Sequence, residues 1–292
     1  MKRCVFLSIL MAMFAGSVVF CRGAARRPAD PTPQDLAKIR AAVPKKPSAK
    51  PAKPRRMLVL SYQSHDRGRF AGEAALQIMA EQTRAFEVEF ARDKETVSKM
   101  LVPEKLKAFD AVCVNNSTGG KGVSHNGQTW VENLSDYVAD GGGLVGIHAA
   151  TDNKFGEIFG GYFSGHPWSE EVGVKIDDPK HRLTRVFDGK SFMVNDEIYQ
   201  FTKIYSREKL RVLLSLDMTR TADKGRRKDK DNAVAWVKQH GKGRIFYCSL
   251  GHKHHIFQNP RLLQFYLDGI QFALGDIEAD MTPSSQVQKS AH

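Results

Sequence analysis

The chain has 292 residues, of which 41% are hydrophobic and 26% are charged, which predicts an ordinary globular protein of one or two domains. Most of the net charge of +12 lies before residue 57, because residues 26–56 hold ten basic residues against two acidic ones. The rest of the chain is nearly neutral. A basic face on the fold is therefore not expected, which argues against nucleic-acid binding.

The first 25 residues have the pattern of a secretory signal peptide. A basic pair at 2–3 precedes the apolar, uncharged run Cys4–Phe20, and small residues follow at 23–25. The run is short for a membrane-spanning helix, so we expect cleavage, no stable transmembrane segment afterwards, and a secreted or periplasmic protein. Phe20 is bulky where a lipidated cysteine needs a small neighbour, which argues against a lipoprotein attached through Cys21.

Residues 26–54 are rich in Pro, Ala and Lys, and they contain seven prolines. Proline prevents regular helix over most of this stretch, although Gln34–Val43 could form a short one. We therefore predict a signal peptide at 1–25, a Pro/Lys-rich linker or propeptide at 26–54, one folded domain at 55–278 and a flexible tail at 279–292.

Strands and helices alternate in the first half of the domain. Strands are expected at 57–62, 86–92, 110–116 and 143–149. Helices are expected between them at 70–85, 97–106 and 128–139, and the one at 97–106 is short. This alternation is typical of βαβ units and predicts an α/β protein with a mainly parallel sheet.

The second half consists of strand-like runs, a charged loop, a hairpin and a final helix. The strand-like runs are at 172–179, 192–201 and 210–218. The charged loop follows at 219–231, the hairpin at 233–252 and the final helix at 259–274. No internal repeat is visible, so a solenoid or a propeller is not expected.

His148 is the first candidate site residue. It ends an apolar strand in the sequence Gly-Ile-His-Ala-Ala, and a tight strand-to-helix turn of this kind lifts one side chain above the sheet edge in hydrolase and amidotransferase folds. Open α/β sheets bind ligands at that edge. Histidine there can act as a general acid or base or as a metal ligand, the alternative being a structural histidine bonded to backbone.

Other polar side chains are expected at the same edge. His166 precedes Trp168 in Ser-Gly-His-Pro-Trp, and Trp168 could either cover the apolar face of a sugar or pack in the core. Asp196 and Glu197 are neighbours in a strand and point to opposite faces, so we expect Glu197 to face the site. Four further candidates for substrate binding follow strands: His65, Asn116, Asp152 and His252.

These residues permit two kinds of chemistry. His148, His166, Glu197 and His252 could together hold a divalent metal such as zinc. The competing arrangement is metal-free acid–base catalysis by His148 and Glu197, with His166 as a further catalytic candidate. No closely spaced ligand pair anchors a metal, so the motifs fix no cofactor.

Six separated segments resemble the ThuA-like (trehalose-utilisation) family, over roughly residues 57–278: GGGLVGIHAATD, FGGYFSGHPW, DEIYQF, LRVLLSLD, AVAWV and GKGRIFYCSLGH. The resemblance implies a flavodoxin-like fold, similar to class I glutamine amidotransferases, with a mainly parallel sheet and helices on both faces. It also implies a role in the metabolism of trehalose, other disaccharides or keto sugars made by a partner sugar dehydrogenase.

The chain departs from the amidotransferases at the nucleophile. It has no Gly-x-Cys-x-Gly or Gly-x-Ser-x-Gly elbow, and Cys113 and Cys248 lie inside strand patterns. A working glutamine amidotransferase is therefore not expected. Both thiols are expected to be buried, and the sequence does not decide whether they pair.

We therefore expect an exported enzyme that acts on a small carbohydrate by acid–base or metal-assisted chemistry, without a cysteine nucleophile. It would be a hydrolase, an isomerase or a hydratase/lyase. The alternative is a non-catalytic carbohydrate-binding or accessory module of the cell envelope, which the missing nucleophile and the linker favour. The sequence indicates neither the exact substrate nor the oligomeric state.

Overall fold

The computed structural model describes residues 30–62, 66–118, 128–152, 154–202 and 204–289. Nine strands in these residues form one sheet, and two short strands pair separately. In chain order the strands are β1 Arg56–Leu60, β2 Glu87–Ala91, β3 Ala111–Asn115, β4 Gly143–Ile147, β5 Tyr162–Phe163, β6 Trp168–Ile176, β7 Phe192–Ile198, β8 Phe201–Thr202, β9 Arg211–Leu216, β10 Ala233–His240 and β11 Gly243–Cys248.

The helices cover both faces of the sheet. They are α1 Pro33–Ala42, α2 Arg67–Thr83, α3 Lys94–Met100, α4 Pro103–Leu106, α5 Gln128–Ala139, α6 Phe155–Phe159, α7 Pro260–Ala273 and α8 Ser284–Lys289, with 3₁₀ helices at Arg182–Phe187 and His254–Gln258. The single helix expected at 97–106 is divided in two. Pro103 occupies the first turn of α4, where its missing N–H costs nothing.

One half of the sheet is parallel, in the order β2-β1-β3-β4-β11. The inner strands β3 and β4 are buried at every position because both of their faces are covered, whereas the edge strand β2 exposes Glu87 and Glu89. In β1, Met57 and Val59 pack in the core under α2 and α7, whereas Leu58 and Leu60 pack in the core under α5 and α6. The prediction of an α/β fold with helices on both faces is confirmed.

The other half, β11-β10-β9-β6-β7, is antiparallel. Only β10 and β6 run against the direction of the remaining strands, so the sheet is still mostly parallel in orientation. Strand β6 pairs with β9 only through Val174–Ile176, but it pairs with β7 from Trp168 to Val174. The outer part of the β6–β7 hairpin therefore passes beyond the end of β9 and lies over the carboxyl edge of the sheet.

The described part of the expected linker is packed against the domain. Thr32 caps α1 through a reciprocal pair of hydrogen bonds with Asp35, and Pro33 occupies the first turn. Ile39 and Val43 are buried in the core that includes α2 and α7. The short helix allowed at Gln34–Val43 is therefore present as α1, and it packs against the domain.

The expected flexible tail is also held by the domain over its described part. The backbone N–H of Ser284 donates to the carbonyl of Leu210 at 3.0 Å. Arg211 donates to the carbonyl of Thr282 at 3.2 Å and lies 3.4 Å from Asp280. These contacts extend the hydrogen bonding at the start of β9, so the tail is ordered there. In the described part of the chain, every helix is too short or too polar to cross a bilayer.

Candidate active site

His148 lies at the turn after β4, with a φ of 50°. This left-handed conformation is strained for a residue other than glycine and persists only where neighbours hold it. The backbone N–H of His148 donates to the carbonyl of Cys248 at 2.9 Å. The carbonyl of His148 accepts from the Tyr247 hydroxyl at 2.9 Å. The parallel partner β11 therefore fixes the elbow at the carboxyl edge.

The imidazole of His148 has one satisfied and one orphaned nitrogen. Nδ1 lies 2.6 Å from the carbonyl oxygen of Ser249. Because a carbonyl only accepts, Nδ1 carries a hydrogen. Nε2 is buried and has no hydrogen-bond partner among the described residues, and the side chain is only 1% exposed. Buried polar atoms are almost always paired, so this nitrogen is available to bind a ligand, an ion or a water molecule.

Glu197 brings a carboxylate to this nitrogen from the far end of the sheet. Its Oε1 lies 3.5 Å from His148 Nε2 and 3.8 Å from His252 Nδ1, and its Oε2 lies 3.5 Å from His166 Nδ1. The hairpin that extends past β9 makes this approach possible. The structure thus brings together the four residues that were considered as metal ligands.

Asp196, on the opposite face of β7, has a structural role. It is fully buried and accepts from the backbone N–H groups of Gly251 at 2.6 Å and Lys253 at 2.8 Å. These bonds fix the segment that carries His252. The alternation of a strand therefore divides the two carboxylates as expected, with Glu197 facing the histidines.

Three of the four residues have the spacing of metal ligands. One side-chain atom each from His148, Glu197 and His252 lies within 4.8 Å of the other two. The separations of 3.5 and 3.8 Å are too long for good hydrogen bonds. Two ligand atoms on one tetrahedral zinc ion lie about 3.3 Å apart, because each bond is about 2.0–2.1 Å long. The donor set and the orphaned nitrogen both fit such an ion.

Glu197 is held in its ionised form. Burial opposes its ionisation, but the contact with His148 and the charges of His252 and His166 outweigh burial and lower the pKa of Glu197 below its ordinary value. An ionised carboxylate can accept a proton or bind a cation. It does not act as a proton donor at neutral pH.

The remaining candidates for substrate binding differ in their positions and contacts. Asn116 also has a positive φ, donates to the carbonyl of Gly251 at 3.2 Å, and leaves its buried Oδ1 without a partner in the described structure. Asp152 is half-buried after β4, with its backbone N–H donating to Thr118. His65 lies outside the described residues.

Trp168 does not line the site. It is fully buried, and its indole N–H donates to the carbonyl of Ala222 at 2.7 Å. The expectation that it covers a sugar is therefore corrected in favour of core packing. It packs beneath the charged loop at 219–231, a contact between residues more than 50 positions apart that the sequence pattern does not reveal.

Sequence reasoning missed two aromatic side chains. The ring of Tyr199 lies 4.2 Å from the ring of His148, and the ring of Phe163 lies 4.3 Å from that of Tyr199. Burial, with the nearby charges of Asp152 and Glu197, raises the pKa of Tyr199, so its hydroxyl stays protonated. Tyr199 follows Glu197 by two positions. The period of a strand was therefore the signal that could have identified it.

The two cysteines are buried as free thiols. Burial raises the pKa of Cys248 to about 12, and burial also raises the pKa of Cys113. Neither group forms the thiolate that a nucleophile requires near neutral pH. This agrees with the absence of an amidotransferase elbow.

Comparisons with known proteins give one family and one fold. The sequence model of ThuA, described as trehalose utilisation, matches residues 56–273. A ThuA-like protein from Bacteroides uniformis ATCC 8492 is 22% identical, with a TM-score of 0.61 over 77% of this chain and 94% of that one. One from Parabacteroides merdae ATCC 43184 is 15% identical, with a TM-score of 0.59 over 78% and 93%. Comparison with curated sequences gives no significant match.

Proposed function

Because the chain belongs to the ThuA family of trehalose-utilisation proteins, we propose that the cluster of His148, Glu197 and His252 is the active site of a carbohydrate-converting enzyme. The family supports a carbohydrate-related role. The observation that carries the catalytic part is the buried, orphaned Nε2 of His148, which faces the carboxylate of Glu197 at 3.5 Å.

The bond from His148 to Ser249 determines what this nitrogen can do. With the hydrogen on Nδ1, the Nε2 of a neutral ring presents a lone pair toward Oε1 of Glu197, which also presents lone pairs. Two acceptors that face each other favour a cation between them, either a proton on Nε2, with which the contact lowers the pKa of Glu197, or a metal ion. We therefore assign His148, Glu197 and His252 as ligands of a divalent metal such as zinc, which would polarise a substrate carbonyl or lower the pKa of a bound water.

The neighbouring side chains would orient the carbohydrate. His166 lies beside Glu197, and its side chain is 54% exposed, so it can exchange a proton with a hydroxyl of a bound sugar. The ring of Phe163 stacks near that of His166 with centroids 6.0 Å apart. Phe163 is half-buried and can cover an apolar C–H face of a sugar, one of the two roles considered for Trp168.

Metal analysis together with a turnover assay tests this proposal. Purified protein should contain about one equivalent of divalent metal and convert trehalose, its 3-keto form or a related disaccharide. His148→Ala should lose the metal and slow turnover by at least about 100-fold, because acid–base or metal assistance contributes that much or more. His254→Ala is the matched control, since this nearby histidine is not part of the cluster.

Two results would count against the proposal. Full turnover by His148→Ala would show that His148 takes no part in the reaction. Carbohydrate binding without turnover, even after reconstitution with zinc, would instead favour a non-catalytic carbohydrate-binding module.

We also propose that the protein is exported. The basic pair, apolar run and small residues within positions 2–25 support this. Mass spectrometry of the mature protein should find an N-terminus close to residue 25, in the secreted or periplasmic fraction. A full-length protein in the cytoplasm would contradict export. A lipid-modified N-terminus at Cys21 would instead indicate a lipoprotein.

A further inference from the structure

A cavity of about 400 Å³ opens beside the candidate active site. His166 belongs to both, because it lines the cavity and its Nδ1 lies 3.5 Å from Glu197. Two more basic side chains, Lys224 and Arg226, line the same cavity, and its described lining contains no acidic residue. The cavity is therefore positive and contiguous with the candidate catalytic residues.

Arg226 is the basic group of this cavity that is left uncompensated. Three other basic residues of the loop at 219–231 form ion pairs: Lys224 with Glu170, Arg227 with Asp229, and Lys230 with Asp223. The guanidinium of Arg226 has no hydrogen-bond or acidic partner in the part of the chain that the structure describes. It therefore presents a full charge and five donors at the cavity.

The backbone of Arg226 is fixed by a buried amide. Its N–H donates to Oε1 of Gln200 at 2.9 Å, and Nε2 of Gln200 donates to Asn232 at 2.9 Å. Gln200 is only 1% exposed, and its own backbone N–H donates to the carbonyl of Gly165 across the cavity wall at 2.9 Å. The loop is thus anchored beside the exposed Arg226, which lines the cavity.

Gly225 packs closely against Gln200 and Trp168. A Cβ at Gly225 would lie 2.7 Å from Nε2 of Gln200 and 2.8 Å from the ring of Trp168. No side chain is accommodated there without moving the loop. Trp168, which donates to the carbonyl of Ala222, therefore supports the basic wall from below.

We propose that this cavity binds an anionic group of the carbohydrate substrate, a carboxylate or a sulfate ester, with Arg226 as the specificity-determining residue. This inference rests on the proposed function, because it narrows the substrate of that same site to those related disaccharides that carry an acidic group. Arginine presents a planar fork that matches both carboxylate and sulfate oxygens. A neutral disaccharide would leave this charge unused.

Calorimetric titrations of the mature protein test the assignment. The probes are methyl glucuronide, methyl glucoside and sodium sulfate, all at about 50 mM ionic strength, because exposed charges are screened at higher salt. Arg226→Gln removes the charge in the cavity. Lys228→Gln is the matched control, since it removes a charge from an exposed residue of the same loop that does not line the cavity.

Methyl glucuronide should bind wild-type protein at least tenfold more tightly than methyl glucoside. Arg226→Gln should abolish this difference, and Lys228→Gln should preserve it within about twofold. Sulfate binding that depends on Arg226, without binding of either sugar, would support the anion cavity and overturn the proposed carbohydrate function. Equal binding of the two sugars would overturn the anion cavity alone. Binding of none of the probes would also overturn the anion cavity. Equal losses of affinity in Arg226→Gln and Lys228→Gln would overturn it as well.

Discussion

At the scale of single residues, Asp196 controls where His252 lies. Its buried carboxylate accepts from two backbone N–H groups on either side of that histidine, at 2.6 and 2.8 Å. Ligands of a metal are positioned by such supporting hydrogen bonds, and their loss weakens metal binding by about 10- to 100-fold. The geometry of the candidate site therefore depends on a residue that does not contact the site.

Asp196→Asn should loosen this segment, because the amide presents a donor to one of the two N–H groups. We expect zinc binding to weaken by about 10- to 100-fold and the free energy of unfolding to fall by about 1–3 kcal/mol. Competition with a chromophoric chelator and urea unfolding measure the two effects. Asp140→Asn, at an exposed aspartate, is the control. Unchanged zinc affinity in Asp196→Asn would contradict the positioning role.

Local rules predict some of these residues and miss others. Strand alternation correctly directs Glu197 to the histidines, and the glycine-rich strand end correctly places His148 at a turn. The sequence leaves Trp168 open between a sugar face and the core, because its contact with Ala222 depends on the path of a long charged loop. Local periodicity contains no information about that path.

At the scale of elements, the 3₁₀ helix Arg182–Phe187 joins the C-terminal tail through one buried histidine. Nε2 of His181 donates to the carbonyl of Asp280 at 2.9 Å, and Nδ1 accepts from the backbone N–H of Leu183 at 3.3 Å. This pattern requires a neutral ring. Burial lowers the pKa of His181 below the ordinary value, although the Asp280 carbonyl and nearby acids oppose the shift.

Stability should therefore fall in acid. A group whose pKa is lower in the folded state binds fewer protons there, so its contribution is complete above the ordinary histidine pKa of about 6.5 and is lost as the pH falls below it. Between pH 7.5 and 5, urea unfolding should show a steeper loss of stability for wild-type protein than for His181→Gln. Parallel curves for the two proteins would contradict this assignment.

The strands themselves follow from the sequence, but the pairing that builds the site does not. Apolar runs identify every strand of the parallel half within a few residues. The register between β6 and β9 depends on pairing between distant parts of the chain, and it leaves only Val174–Ile176 of β6 paired with β9. This short overlap is what allows the hairpin to carry Glu197 across to His148.

At the scale of the whole molecule, the segment before β1 is part of the domain. Arg55 donates to Asp276 at 2.7 Å and to Asp110 at 3.2 Å, and Lys53 also pairs with Asp110. Part of the basic excess before residue 57 is thus neutralised by acidic groups of the fold. Composition showed the excess, but it could not show the partners, which lie far away in the chain.

Removal of buried side chains from α1 should destabilise the whole domain. Ile39→Ala should lower the free energy of unfolding by about 2–4 kcal/mol, because it leaves a cavity against α2 and α7. Leu36→Ala is the matched control, since Leu36 lies on the same helix but is 39% exposed, and its loss should cost less than about 1 kcal/mol. Equal effects in urea unfolding would mean that α1 does not contribute to the core.

The hairpin that carries Glu197 divides the site between two regions with separate origins in the chain. The parallel strands supply the elbow histidine and the segment that holds His252, whereas residues 168–198 supply the carboxylate. A change at Glu197 alone would alter one side of the site, whereas a change at Asp196 would also affect the segment that carries His252. Because the hairpin also buries Trp168, Val172 and Ile198 in the core, the chemistry of the fold can change only through the positions of the hairpin that face the site.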